Sequence, residues 1–212
     1  MHPSGRGYPR PFLFYRLYRT LAPALAAAAC ALAIAANGAS AKSEGPPKLV
    51  QRPQPAISPA RLEKSIHAFI NGERIAQGRK PLAWDGKLAA IARGHSADMA
   101  KRNYLSHDSP QGEGLDTRYR KGRYRCFVPV GDAIHGGAEN IAREHLYASI
   151  TALGKKQYYD WHSEEEIARR AAAGWMKSPG HRANILTAHW KHEGIGVVVT
   201  RDYRVYVTQN FC

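Results

Sequence analysis

The order of elements in this chain predicts an α+β fold, because its helical patterns come first and its strand patterns last. Three stretches carry that expectation. Leu62, Ile66, Phe69 and Ile70 recur at helical intervals. Ser163 and Glu166 form a capping box ahead of a second apolar stripe. Residues 195–200 and 203–211 alternate in β-branched and aromatic side chains around Arg201-Asp202, the pattern of a hairpin.

Each element has a local reason. Pro59 suits the first position of a helix, and Gly78 and Pro81 end the stripe that follows. Asp85 is placed to cap a second helix with Leu88, Ile91, Ala92, His95 and Met99 on one face. Residues 106–137, rich in glycine and charge, read as loop. The helix opened by Ser163 runs through Ile167 and Ala171 to about Lys177, its acidic first turn suiting the helix dipole. Ser178-Pro179 then restarts a short helix carrying His181 through Leu186. Residues 143–162 hold Tyr147, Tyr158, Tyr159 and Trp161. They predict either a surface excursion packing its own aromatics or a wall over a cleft.

The ends of the chain predict export. Arg6, Arg10, Arg16 and Arg19 precede an apolar, alanine-rich stretch at residues 21–36, and Ala39-Ser40-Ala41 has the small-x-small form of a cleavage site. The apolar stretch is shorter than the roughly 20 residues a bilayer span needs. Residues 1–41 are therefore read as a signal peptide, a retained anchor being the rival, and the mature chain as secreted or periplasmic with no transmembrane segment. Residues 42–59, with five prolines, read as an extended linker, and 60–212 as one domain. Removing four of 31 basic residues and none of 17 acidic ones leaves 27 against 17, a net charge of +10. That surplus favours anionic partners, and the partners expected are an anionic envelope polymer, a lipid or a small molecule; export makes nucleic acid the least available. Cys126 and Cys212 would meet an oxidising compartment and are expected to pair.

Two segments carry the functional reading. Glu139-Asn140-Ile141-Ala142 follows two glycines, and Trp175-Met176-Lys177-Ser178-Pro179-Gly180-His181-Arg182-Ala183-Asn184-Ile185-Leu186 lies downstream. Together with Leu105-Ser106-His107 they place two histidines and a carboxylate in loops or at helix ends, 32 and then 42 residues apart. Asn71 and Arg74, then Gly78, Pro81-Leu82 and Trp84, add to the pattern. The set resembles the CAP superfamily, or SCP domain, in its compact bacterial form. The resemblance implies an α-β-α sandwich with a central antiparallel sheet over residues 60–212. It also implies a cleft in which His107 and His181 bind a divalent metal, zinc being the natural choice, with Glu139 beside them as ligand-binding residue and candidate catalytic base.

The chemistry is consistent. Neutral imidazole is a preferred zinc ligand, and two histidines leave coordination positions open. A nearby carboxylate can orient an imidazole or take a proton. One departure stands out: the second glutamate of many relatives corresponds here to Ser178, which weakens any mechanism needing paired carboxylates. Asp108 is the better compensating candidate; Glu164, Glu165 and Glu166 read as a solvated first turn. His95 reads as a core residue, His189 and His192 as surface, and His135 as either surface or cleft. Ser178 reads as a helix cap, and Asn140 and Arg182 as residues that fix loop and helix. The run from Arg118 to Arg125 interleaves basic and aromatic residues, giving a solvated face or a polyanion-binding surface.

Three functions follow from this reading. The first is a secreted binding module for a metal and an extracellular lipid or envelope component. The second is a metal-dependent hydrolase of peptides or envelope glycans. The third is a basic structural or adhesive envelope protein with a vestigial site.

Overall fold

The computed structural model describes Val50 and residues 52–212, all within one unit, Pro47–Cys212. The signal-peptide reading and half of the linker reading, residues 42–49 and 51, fall outside the described residues. Among the described residues no helix is long and apolar enough to cross a membrane.

Ser58 Oγ accepts the Arg61 amide and Pro59 takes the first turn, so α1 runs Pro59–Ala76. Leu62, Ile66 and Ile70 lie fully buried along its stripe. A two-residue strand, β1 (Ala83–Trp84), leads to Asp85, whose carboxylate accepts the Lys87 and Leu88 amides at 2.7 and 3.1 Å and opens α2 (Gly86–Arg102). Asn103 ends α2 with φ 54°, a left-handed position that asparagine tolerates.

The stretch read as loop is more ordered than expected. It contains α3 (Leu115–Lys121) and a small antiparallel hairpin of β2 (Val128–Val130) and β3 (Ala133–His135). The signal for α3 is present in retrospect: Leu115, Arg118 and Tyr119 stand at i, i+3 and i+4 on the inward face.

Next comes β4 (Ala138–His145), so Glu139 sits on a strand rather than in a loop or at a helix end. β5 (Tyr147–Leu153) and β6 (Lys156–Trp161) form a separate hairpin. Tyr159 and Trp161 stack at 4.6 Å, with Tyr147 and Tyr203 packed edge-on around them. Segment 143–162 thus packs its own aromatics. It leaves β4 at His145, six residues and roughly 20 Å along the strand from Glu139.

The capping box is complete at α4 (Glu164–Lys177), where Ser163 Oγ accepts the Glu166 amide and Glu166 Oε2 accepts the Ser163 amide. α5 (Pro179–Leu186) starts at Pro179 as expected, but the Ser178 hydroxyl makes no capping bond. The closing hairpin is β7 (His192–Val199) and β8 (Arg204–Phe211).

The main sheet has the order β1-β7-β8-β4. Its three long strands are antiparallel, and β1 adds a short parallel pair against His192 and Glu193, so the sheet is mixed at one edge. Alternation along the strands builds the sandwich. Ile195, Val197, Val205, Val207 and Phe211 join the apolar layer of α1 and α4, while Tyr206 and Ile141 meet Met99 of α2 on the other face. On that second face Gly194 and Gly196 lie directly beneath the α2 backbone. Cys126 and Cys212 are joined by a disulfide across a sequence separation of 86, tying the chain's last residue to the segment before β2.

Candidate functional site

β4 is an edge strand, and what covers its open edge explains the two motifs. Trp175 Nε1 donates to the Ile141 carbonyl at 3.0 Å, and Asn184 Nδ2 donates to the Glu139 carbonyl at 3.2 Å. Asn140 Nδ2 donates to the His181 carbonyl at 3.2 Å and to Gln209 Oε1 at 3.0 Å, while its own oxygen accepts from Asn184. The helix motif thus satisfies carbonyls that the strand motif leaves unpaired, which protects the edge and fixes α5 against it. The same chain of bonds continues inward. Gln209 Nε2 donates to Glu193 Oε2, and the other oxygen of Glu193, fully buried, meets His67 Nδ1 at 2.5 Å.

Because residues alternate on β4, the Glu139 side chain points to the α2 face, opposite that of Asn140. Glu139 is buried, and both carboxylate oxygens are engaged. Oε1 lies 2.9 Å from His107 Nδ1, and Oε2 accepts from Arg118 Nη2 at 2.8 Å. Facing a carboxylate, Nδ1 of His107 must carry the proton, which leaves Nε2 as the lone-pair nitrogen. Arg118 Nη1 also donates to the carbonyls of His107 and Glu113, at 2.9 and 2.8 Å, so one guanidinium ties the loop after α2 to β4. His95 is buried as expected and bonds the Ser106 carbonyl at 3.0 Å, but its Nε2 also stands 3.8 Å from Glu139 Oε1.

The fold therefore brings His107, Glu139 and His181 to one end of the sheet. His181 lies within electrostatic reach of His107: burial lowers its pKa first, and the charge of His107 lowers it further. His107 moves the other way, its pKa raised mainly by the hydrogen bond to Glu139. The two rings thus differ: the carboxylate favours the protonated form of His107, and burial favours the neutral form of His181.

The other candidates separate. Asp108, exposed beside His107, adds to holding its proton. Glu164 bonds Arg61, Glu165 pairs with Arg169 and Glu166 closes the capping box, so none stands in for the carboxylate absent at Ser178. His135 stacks against His189 at 4.4 Å beside Trp190, and no bond joins it to Glu139 among the described residues. In the basic run, Arg118 and Tyr119 are buried, with Tyr119 donating to the Phe211 carbonyl at 3.1 Å. Arg118 is the residue that sequence reasoning placed on the wrong side of the surface. On the α2 side, a cavity of about 510 Å³ opens between α2 and α3, with Ile91, Gly94, His95 and Arg118 in its wall.

A titration of the histidine rings by NMR tests these environments. His107 is expected to titrate above the usual value of about 6.5 and His181 below it. Glu139→Gln should bring the His107 midpoint down. The stability that His107 contributes is full below about 6.5 and is lost as pH rises through its raised folded value; His181 disfavours the fold as pH falls below about 6.5. Equal midpoints for the two rings would contradict this arrangement.

Comparison with known proteins agrees with these motifs. The sequence model of the CAP (cysteine-rich secretory protein) family matches residues 67–211. Two Bacillus subtilis proteins are each 34% identical to the chain: the uncharacterized membrane protein YlbC over 149 residues and the uncharacterized protein YkwD over 137. These matches cover 70% and 64% of this chain but only 34% and 42% of the relatives, so the chain spans about a third to two fifths of their length. Among solved structures, an extracellular SCP-domain protein of Bacillus anthracis is similar at 29% identity and TM-score 0.51, over 74% of this chain and 44% of that one. An outer surface protein of Borrelia burgdorferi shares the fold at TM-score 0.54 and 16% identity, over 73% of this chain and 94% of its own. The chain belongs to the CAP family of cysteine-rich secretory proteins.

Proposed function

We propose that this chain works outside the cytoplasmic membrane as a binding domain, with His107 and His181 holding a divalent metal, zinc by preference, that faces an extracellular lipid or envelope ligand. The observation that carries the reading is the bond from His107 Nδ1 to Glu139, which leaves Nε2 as the free nitrogen of that ring, with burial favouring the neutral form of His181 beside it. In its neutral form each ring offers a nitrogen lone pair, as a zinc ligand must. No group of three or more metal-binding side chains occurs among the described residues, so the proposed site is one of two imidazoles. Bound there, zinc would supply Lewis acidity and open coordination positions. The basic, apolar start of the sequence and the Cys126–Cys212 disulfide support a place outside the cytoplasm, as does an extracellular relative.

The engagement of Glu139 favours binding over hydrolysis. A general base must present an oxygen to water, and Glu139 is buried with its two oxygens turned to His107 and Arg118. We read Glu139 as the residue that orients His107.

Zinc titration by calorimetry tests the proposal. The wild type should bind, and His107→Ala/His181→Ala should not. Glu139→Gln should weaken binding about tenfold or more, the usual effect of losing a partner that orients a metal-bound histidine. His135 and His189 remain in the double variant and report any unspecific uptake. Absence of binding by the wild type, or equal binding by the double variant, would sink the proposal and leave the structural or adhesive role. Metal-dependent turnover abolished by Glu139→Gln would restore the hydrolase.

A further inference from the structure

The β2–β3 hairpin turns apolar side chains to solvent. Pairing sets Val128 opposite His135 and Pro129 opposite Ile134. The first pair points inward: Val128 packs on the apolar core, and His135 stacks on His189. The second pair points outward by the two-residue alternation, and Phe127, two residues before Pro129, falls on the same outward face. Phe127 is 66% exposed and Ile134 59%, with Val130 at 40% near the turn. Three of the eight large apolar side chains that are exposed among the described residues therefore crowd one short hairpin. A cluster of exposed apolar side chains of this kind on a folded domain marks a surface that meets something.

The surroundings say what it meets. Arg120, Arg123, Arg125 and Lys191 are exposed around the hairpin, against the carboxylates Asp116 and Asp132. Among the described residues Arg120 bonds only the Thr117 hydroxyl, and the side chains of Arg123 and Arg125 make no hydrogen bond or ion pair. A soluble polyanion would use the arginines and gain nothing from Phe127 or Ile134. A second copy of the chain would bring like charges together. A bilayer surface with anionic headgroups uses both features, phosphates meeting the guanidinium groups while the apolar side chains enter the headgroup boundary.

We propose that the outward face of β2–β3, with Phe127 and Ile134 at its centre and Arg120, Arg123 and Arg125 on its rim, docks this protein onto an anionic lipid surface. The face is held firmly for that task. Cys126, adjacent to Phe127, is disulfide-bonded to Cys212, and the inner face of the hairpin rests on the core. The docking face and the His107–His181 cleft are separate sets of residues, so chelation of metal should leave vesicle binding unchanged.

Flotation of the full chain with vesicles tests this. One set is phosphatidylcholine alone, the other equal parts phosphatidylcholine and phosphatidylglycerol. Each variant is compared with wild type, so residues 21–36 contribute equally throughout. Wild type should float with the mixed vesicles and much less with the neutral ones. Phe127→Ser/Ile134→Ser should lower the bound fraction about tenfold through loss of apolar insertion. Arg123→Gln/Arg125→Gln should weaken binding and flatten its dependence on salt. All four positions are exposed, so thermal melting should stay at the wild-type value. Equal binding by the serine variant, equal binding to both vesicle types, or no binding would overturn the proposal. So would retention on a soluble polyglutamate that the serine variant matches in full, or self-association in sedimentation without lipid that the same variant abolishes.

Discussion

Gly196→Ala is expected to lower the stability of the fold by about 3 kcal/mol, the upper end of what overpacking exacts, and Gly196→Val to prevent folding. A Cβ at Gly196 would stand 2.0 Å from the Arg93 nitrogen and 2.3 Å from the Ala92 carbonyl carbon of α2. These are backbone atoms of a helix interior, so no rotamer change can clear them. α2 would have to lift from the sheet, withdrawing Leu88, Ala92 and Met99, all fully buried. Gly194 faces the same obstacle, with the Ala89 nitrogen at 2.1 Å. Gly174, in α4, offers the contrast: nothing lies within 4 Å of its added Cβ. Gly174→Ala should therefore stabilise the protein by about 0.5–1 kcal/mol through helix propensity. Urea unfolding of the three alanine variants measures the difference, and equal midpoints would refute the close approach.

Arg118→Leu is expected to cost about 3–5 kcal/mol, because it leaves the Glu139 carboxylate buried without its cationic partner. The Arg118 side chain is 8% exposed and that of Glu139 3%, so water cannot take the place of the guanidinium. The loss extends beyond the pair, since the carbonyls of His107 and Glu113 also lose their donor. The loop after α2 should loosen and zinc affinity fall with it. A double-mutant cycle with Glu139→Gln separates the effects: the combined variant should recover part of the stability, because no unpaired charge remains. If Arg118→Leu unfolds at the wild-type urea concentration, the buried pair does not hold the site.

Much of the architecture was legible because it rests on neighbours in the chain. Asp85 and the Ser163–Glu166 box mark helix starts through bonds spanning two or three residues, and Pro59 through its fixed backbone angle. Alternation over residues 195–211 marks the hairpin because side chains on a strand change face at every residue. The motifs around Glu139 and His181 were readable as a pair through family resemblance, and their contact gives the reason: Trp175 and Asn184 bond the carbonyls of Ile141 and Glu139. Ser178 shows the limit of such reasoning, for the sequence has the form of a cap and the hydroxyl makes no capping bond.

Arg118 was misread because its role depends on a partner 21 residues away, and in a run with four other cations nothing local distinguishes it. His95 was read correctly as core, yet its place beside Glu139 arises only when α2 settles on the sheet. The outward face of β2–β3 was invisible for a related reason: Phe127, Pro129 and Ile134 look like ordinary strand residues until pairing shows which side they face.

Local order, then, was written in the residues themselves: where helices start and stop and which strands close the domain; the candidate histidines and carboxylate were named only through family resemblance. Folding added the partners: a guanidinium for Glu139, a glycine floor for α2, and an apolar face turned to solvent. Periodicity and capping act over a few residues and leave a trace in the string. Ion pairs and close packing join segments tens of residues apart, and the composition of either segment alone does not record them.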